Sequence, residues 1–209
     1  MLVGVYVDDL IITGTSDKEV RRFKAEMKTQ FKISDLGLLC FYLGIEVQQN
    51  ANGITESQGS YAKKVLEVAG MANCNPAHTP MEERLKLRWM SEAAEVDATL
   101  YRRIVGCLRY LCRTRPDIAF AVGYVSRSLQ RPMEEHMITV KRILCYIVGT
   151  LHYGCFYARS KTTPRLHSFS NSNLVGDVDT SKSTSGGIFF LEGGPVIFLE
   201  AARGCSVLL

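Results

Sequence analysis

The sequence predicts an α+β fold in which strands open the chain, helices fill its middle and strands return towards its end. Three observations carry this. Val3, Val5 and Val7, followed by Leu10, Ile11 and Ile12, are β-branched or apolar residues of the kind that fill buried strands, and they flank a polar bend. Residues 98–148 hold three successive stretches with apolar positions at three- and four-residue steps, the signature of amphipathic helices. From Tyr153 the pattern changes to short apolar runs punctuated by Pro, Gly and Ser.

The opening hairpin, Met1 to Gly14, carries Asp8 and Asp9 at its bend. Next, Ser16-Asp17-Lys18-Glu19 has the form of a capping box, in which the serine and the glutamate each satisfy a free backbone amide, so a helix is expected over 17–30. Val20, Phe23, Met27 and Phe31 give that helix one apolar face. Lys18, Arg21, Arg22, Lys24 and Lys28 crowd the remainder, as a solvated surface or as a phosphate-binding one. Ser34 to Gly37 reads as a turn, and Leu38 to Val47, apolar but short and aromatic, reads as one strand. Asn50 to Gly53 supplies the positive-φ residues of a reversal, with Ile54 to Ser57 as the returning strand. A short helix over 58–69 follows, with Tyr61, Val65 and Ala69 on one face and Gly70 at its stop.

Residues 73–97 contain Pro76, Pro80, a Glu-Glu pair and few periodic apolar positions, which describes a linker or a strap over a neighbouring surface, pinned by Trp89. Helices are expected over 98–113, over 116–130 opened by Pro116, and over 134–148 closed by Gly149. Their inward residues are Ile104, Leu108 and Leu111, then Ile118, Val122, Val125 and Leu129, then Val140, Leu144 and Ile147. The short break at Arg131-Pro132 implies close packing of successive helices. Strands are expected at Cys155 to Ala158, Leu166 to Ser170, Gly187 to Leu191 and Val196 to Leu199. The apolar end Val207-Leu208-Leu209, with no cap or polar tail, reads as a truncated domain. The expected divisions are therefore 1–72, 73–97, 98–150 and 151–209.

Composition narrows the function classes. At 209 residues, 46% hydrophobic and 22% charged, the chain can bury one large core or two small ones. No apolar run approaches the roughly 20 residues of a membrane helix, and the N-terminus lacks the basic flank and cleavage site of a secretory signal, so the expected location is inside the cell. Cys40, Cys74, Cys107, Cys112, Cys145, Cys155 and Cys205 are odd in number and lack Cys-x-x-Cys or zinc spacing, which points to reduced thiols. His78, His136, His152 and His167 are scattered over different elements and offer no triad-like setting. A net charge of +4 with pI near 8.7 is compatible with a nucleic-acid partner but does not establish one. Asp8 and Asp9 hold the most pointed chemistry: two carboxylates on a tight turn are either a polar hairpin bend or a hard-oxygen site for a divalent cation such as Mg²⁺.

Several blocks decide between those readings. Tyr6-Val-Asp-Asp-Leu-Ile-Ile-Thr-Gly14, Asp35-Leu-Gly37, Phe41-Tyr-Leu-Gly-Ile-Glu-Val47, Tyr101-Arg-Arg-Ile-Val-Gly106 and Leu108-Arg-Tyr-Leu111 occur in that order. They are followed by Thr114-Arg-Pro-Asp-Ile-Ala-Phe-Ala-Val122, Lys141-Arg-Ile-Leu144, Gly149-Thr150, Gly176-Asp-Val-Asp179 and Lys182-Ser-Thr-Ser-Gly186. In these blocks the chain resembles the copia-type reverse transcriptase and ribonuclease H region of plant LTR-retrotransposon polyproteins. The resemblance implies a partial palm and thumb over 1–72, a linker over 73–97, a helical connection over 98–150 and an incomplete ribonuclease H-like sheet over 151–209. It makes Asp8 and Asp9 the catalytic, metal-binding carboxylates of an RNA-directed DNA polymerase that uses Mg²⁺, with Mn²⁺ as a substitute. Leu43, Gly44, Ile45, Glu46 and Val47 match the hairpin that holds the primer terminus. RNA template, DNA primer and deoxynucleotides are the implied partners, in a cytoplasmic virus-like particle or the nucleus and without a membrane; the oligomeric state stays open.

The departures from the family pattern shape the expected activity. The family's further palm aspartate lies well upstream of the Asp-Asp turn, whereas this chain starts seven residues before Asp8, so the fingers and half the palm are expected to be missing. Asn171 and Asn173 stand where the family carries acids in its Ser-Asp-Ala-Asp-Trp segment; asparagine is neutral and coordinates Mg²⁺ poorly. Asp177 and Asp179 belong to a loop on that pattern, where a structural turn competes with a metal role. Glu200 to Ser206 departs from the family's lysine-rich pattern. The expectation is a catalytically incompetent fragment of polymerase and ribonuclease H, with a non-catalytic nucleic-acid-binding remnant as the alternative.

Overall fold

The computed structural model describes residues 1–88, 92–160, 163, 165–173 and 184–200, and they fall into two compact units, Met1–Tyr42 and Leu43–Leu209. Trp89, Asp177, Asp179 and the stretch 201–209 lie outside the described residues.

In the first unit, β1 (Leu2–Tyr6) pairs antiparallel with β2 (Asp9–Thr13), from Leu2 opposite Thr13 to Tyr6 opposite Asp9. The residues expected to fill buried strands are instead exposed on β1, with Val5 at 70%. A two-stranded ribbon has no second layer of its own to cover a face. Helix α1 (Asp17–Gln30) begins where the capping residues place it: the Glu19 amide donates to Ser16 Oγ at 3.4 Å. Its apolar stripe is only half covered, since Val20, Phe23 and Met27 are half-buried and Phe31 is exposed. Two of its cations have local acidic partners. Arg22 meets Glu26 at 3.4 Å one turn on, and Lys24 meets Asp35 at 3.1 Å. Asp35 also accepts the Gly37 amide at 3.0 Å, and this bond and the lysine hold its carboxyl below the usual range. The short strand β3 (Phe41–Tyr42) closes the unit.

The strand expected over Leu38 to Val47 is broken. Leu43 and Gly44 take positive φ of 48° and 81°, which interrupts the extended run, and β4 (Ile45–Asn50) starts beyond them. Its partner is β5 (Gly53–Ser57), and the intervening turn is tied by Asn50 Oδ1, which accepts the amides of Asn52 at 2.8 Å and Gly53 at 3.1 Å. The other edge of β5 pairs antiparallel with β6 (Gly154–Ala158), roughly a hundred residues later in the chain. Gly53 sits at φ 156°, and a Cβ there would run into the Tyr157 carbonyl of β6.

The core lies among four helices. They are α2 (Gly59–Val68), α3 (Ala98–Leu111), α4 (Ala119–Val125) and α5 (Glu134–Gly149). Val65 and Leu66, then Tyr101, Ile104, Val105, Leu108 and Leu111, then Ile118, Val122 and Val125, then Val140, Ile143, Leu144 and Ile147 form one buried cluster. Helix α2 stops at Gly70, where the amides of Gly70 and Met71 donate to the carbonyls of Glu67 and Leu66. Asp97 caps α3 by accepting the amides of Thr99 at 2.8 Å and Leu100 at 3.2 Å. The helix expected over 116–130 is instead a short α-helix between two 3₁₀ turns, Pro116–Ile118 and Ser126–Ser128. Proline at the first position and the Ser126 hydroxyl on the Val122 carbonyl at 2.7 Å mark its two ends.

Residues 73–88 and 92–97 run over these helices. Tyr124 joins one stretch by donating to the Leu85 carbonyl and accepting the Leu87 amide, both at 3.1 Å. Arg142 reaches Glu82 at 3.1 Å and Thr79 at 3.0 Å, and Val96 donates to the Pro132 carbonyl at 3.1 Å. The remaining strands, β7 (Leu166–Asn173), β8 (Thr184–Leu191) and β9 (Gly194–Glu200), form an antiparallel meander. Tyr157 of β6 donates to the Pro195 carbonyl of β9 at 2.9 Å.

One buried cation joins several of these parts. Arg115 is 2% exposed and forks onto Asp117 through Nε and Nη2 at 2.9 and 2.7 Å, while Nη1 reaches the Thr150 carbonyl at 2.9 Å and Nη2 also reaches the Thr150 hydroxyl at 2.7 Å. The rings of Tyr146 and Tyr153 stand 5.7 and 5.3 Å from the guanidinium carbon. Beside it, Thr114 donates to Gln58 at 3.0 Å at the start of α2, and its carbonyl accepts the Cys155 thiol of β6 at 3.4 Å. Arg115→Ala is expected to lower unfolding stability by about 3 kcal/mol in urea titrations. Arg115→Lys should recover little of that loss, because an ammonium cannot fork onto a carboxylate.

Candidate functional site

The Asp8–Asp9 pair is built by the shortest possible hairpin. Val7 and Asp8 form the two-residue bend between Tyr6 and Asp9, with Val7 at φ 51°. A positive φ at the first central position matches a type II′ turn, where glycine is the usual occupant. A side chain in the left-handed region is disfavoured by roughly 1–2 kcal/mol, and Val7 is β-branched and 81% exposed. The expectation placed both aspartates at the bend; the structure puts Asp8 in the bend and Asp9 at the first position of β2. The two carboxylates are exposed and consecutive, and they add two negative charges at one end of the ribbon.

An aromatic pair borders Asp9. Tyr6 meets Tyr42 edge to face, with ring centroids 6.3 Å apart. Burial first, and then the Asp9 carboxylate and Tyr6, push the Tyr42 hydroxyl above its ordinary range. Tyr42 therefore belongs to the surroundings of Asp9, which its place in the Phe41-Tyr42-Leu43-Gly44 block did not reveal.

The five residues expected to position a primer form a turn and the start of β4. The Tyr110 hydroxyl of α3 donates to the Leu43 carbonyl, and Tyr110 in turn packs edge-on against Tyr61 of α2 at 5.1 Å. A Cβ on Gly44 would meet only ordinary contacts with Tyr110, so the demand for glycine comes from its φ of 81°. Ile45 is half-buried and Val47 is buried. Glu46 serves the fold directly, because its Oε1 accepts the Ser60 amide at 2.8 Å and so caps α2 from the neighbouring strand. The residue at the usual capping position, Gln58, makes no such bond, because its side-chain oxygen is held by Thr114.

Asn171 and Asn173 lie on β7, opposite Gly186 and Thr184 of β8, and Asn171 is exposed. Asp177 and Asp179 fall outside the described residues. Of the histidines, His136 is buried on α5, where its Nδ1 accepts the Met133 amide at 2.9 Å, and His152 packs edge-on against Tyr153. Among the described residues, no group of three or more His, Cys, Asp or Glu is arranged to hold a metal ion.

The profile of a family described as "Reverse transcriptase (RNA-dependent DNA polymerase)" matches residues 1–83, which include Asp8, Asp9 and the whole Leu43–Val47 segment. The "Retrovirus-related Pol polyprotein from transposon RE1" of Arabidopsis thaliana is 38% identical over 192 residues, 92% of this chain. An uncharacterized mitochondrial protein of the same plant is 34% identical over 207 residues, covering 99% of this chain and 85% of its own length. The chain belongs to the copia-type retrotransposon reverse transcriptase family. A tobacco relative, the "Retrovirus-related Pol polyprotein from transposon TNT 1-94", is 33% identical over an alignment spanning the full chain. This copia-type chain spans only 13% of the RE1 polyprotein and 16% of the tobacco one. No solved structure matches it.

In this copia-type chain the Glu46 cap is open to a direct test. Glu46→Ala should lower stability by about 1 kcal/mol, the usual loss when a helix-start amide loses its acceptor. Glu46→Gln, which keeps an acceptor oxygen, should retain most of it. Urea unfolding followed by circular dichroism compares the two.

Proposed function

We propose that this chain is a segment of an RNA-directed DNA polymerase that carries the metal-binding turn and primer-holding strand, and that it is catalytically incompetent as a separate polypeptide. The observation that carries the reading is the Asp8–Asp9 pair, exposed on a two-residue hairpin within the matched reverse transcriptase region. Hard, adjacent carboxylate oxygens fit a Mg²⁺ or Mn²⁺ ion, which takes one or two carboxylates together with substrate phosphates and water. Bound there, such an ion supplies Lewis-acid polarisation for attack of a primer 3′-hydroxyl on a deoxynucleotide.

The chain's own residues account for the rest of the proposal. The Tyr110 hydroxyl and the Glu46 cap fix the Leu43–Val47 turn and strand to the helical core, giving a primer terminus a rigid support. Two carboxylates are too few to clamp two ions around a triphosphate, so the full reaction needs an acid from another part of the polyprotein. On the same reading β7 belongs to the ribonuclease H region, and Asn171 and Asn173 leave it without the negative charge that a two-metal nuclease uses.

Purified protein should show no Mg²⁺- or Mn²⁺-dependent extension of oligo(dT) on poly(A). Extension that vanishes in Asp8→Asn would overturn the incompetence. Binding of an RNA–DNA hybrid that weakens steeply with rising salt would favour the other reading, a basic remnant that holds phosphate without chemistry.

A further inference from the structure

We propose that Phe120 and the cations of the strap beside it form a stacking site for unpaired nucleobases, a surface that takes single-stranded nucleic acid in preference to a duplex. The geometry begins on α4. Ala121 and Val122 turn into the core, whereas Phe120 stays 60% exposed. Its ring is stacked on Tyr124 one turn on, with centroids 6.2 Å apart and planes 29° from parallel. Arg127, three residues further, stands 4.9 Å from the Tyr124 ring centroid. The three side chains form a ladder at helical spacing whose terminal ring, Phe120, is open to water.

The ladder is held in place and flanked by positive charge. Tyr124 is fixed at its hydroxyl, which donates to the Leu85 carbonyl and accepts the Leu87 amide, both at 3.1 Å. Those bonds bring Lys86, between them, to the edge of the ring pair. Leu85 and Leu87 are half-buried, and Arg84, Lys86 and Arg88 alternate with them on the exposed side. Among the described residues none of the three cations has an acidic partner, and of the acids just before them Glu82 is already paired with Arg142. Every base has a π-face, so an exposed ring receives it without reading sequence, while neighbouring cations meet the phosphates. A duplex keeps its base faces inside the stack. The choice of nucleic acid as the planar ligand rests on the proposed polymerase reading; the stacking geometry itself does not.

The test is fluorescence anisotropy of labelled oligo(dT) and oligo(U) titrated with the whole chain in EDTA. Bases and phosphates are common to DNA and RNA, so both oligomers should bind, and an RNA–DNA hybrid of equal length should bind more weakly. Phe120→Ala and Phe120→Leu should each weaken the single strands about tenfold and leave the hybrid unchanged. Lys86→Gln should flatten the slope of log affinity against log salt by about 0.7. Circular dichroism checks that the variants fold, and Phe120→Trp gives an independent readout. Its added indole fluorescence, taken as the difference from wild type, should be quenched by oligo(dT). Single strands held as tightly by Phe120→Leu as by the wild type would overturn the proposal, because leucine keeps an apolar surface but offers no ring. An unquenched indole in Phe120→Trp would do the same. EDTA removes any cation from Asp8 and Asp9, so failure of this site leaves the polymerase reading standing, and primer extension that sank that reading would leave this site in place.

Discussion

The larger unit depends on how a guanidinium is kept out of water. Desolvating a cation is costly, and it becomes tolerable only when nearly all of its donors find acceptors. Arg115 meets that condition by drawing Asp117 and Thr150 to itself, with the Tyr146 ring beside it. Thr150 is the residue that follows α5, and Asp117 lies within the turn that leads into α4. Satisfying one cation therefore fixes the start of one helix relative to the end of another. Thr114, next in sequence, extends the same network to Gln58 at α2 and to Cys155 in β6.

Elsewhere in the larger unit the ties are fewer. Glu46 and Tyr110 attach the Leu43–Val47 segment to α2 and α3 through one acceptor and one donor. The Asp8–Asp9 ribbon belongs to the other unit and relies on its own ladder, with Val7 in a backbone region that suits glycine better. Bonding is thus unequally distributed: Arg115 is tied to several elements, while the Asp8–Asp9 pair is exposed on a two-stranded ribbon.

The helical core was the most legible part of the sequence. Ile104, Leu108, Leu111, Val122, Val125, Val140, Leu144 and Ile147 were placed by three- and four-residue spacing, and all are buried. The capping serine of α1 and the asparagine turn after β4 were equally readable, since both act within a few residues of themselves. The break at Leu43–Gly44 was not, because an apolar run looks the same whether straight or kinked, and a distant tyrosine holds the kink. The same distance hid the cap supplied by Glu46 and the partners of Arg115. Asp8 and Asp9 were singled out by their motif, whereas the place of Tyr42 beside Asp9 needed the paired geometry of the first unit.

The position of β6 has a consequence in time. Strand β5 has β4 as an early neighbour, but its second edge stays open until Gly154–Ala158 has been made. At roughly 5–20 residues per second, a ribosome needs about 5–20 s to supply the intervening hundred residues. Through that interval the nascent hairpin exposes an unpaired ladder able to bind another chain's strand. Asn50 and Gly53, by fixing the turn locally, keep the register of that hairpin correct while it waits. A segment ending before residue 154 would leave the edge open permanently, so the strand after α5 protects the first hairpin of this unit from self-association.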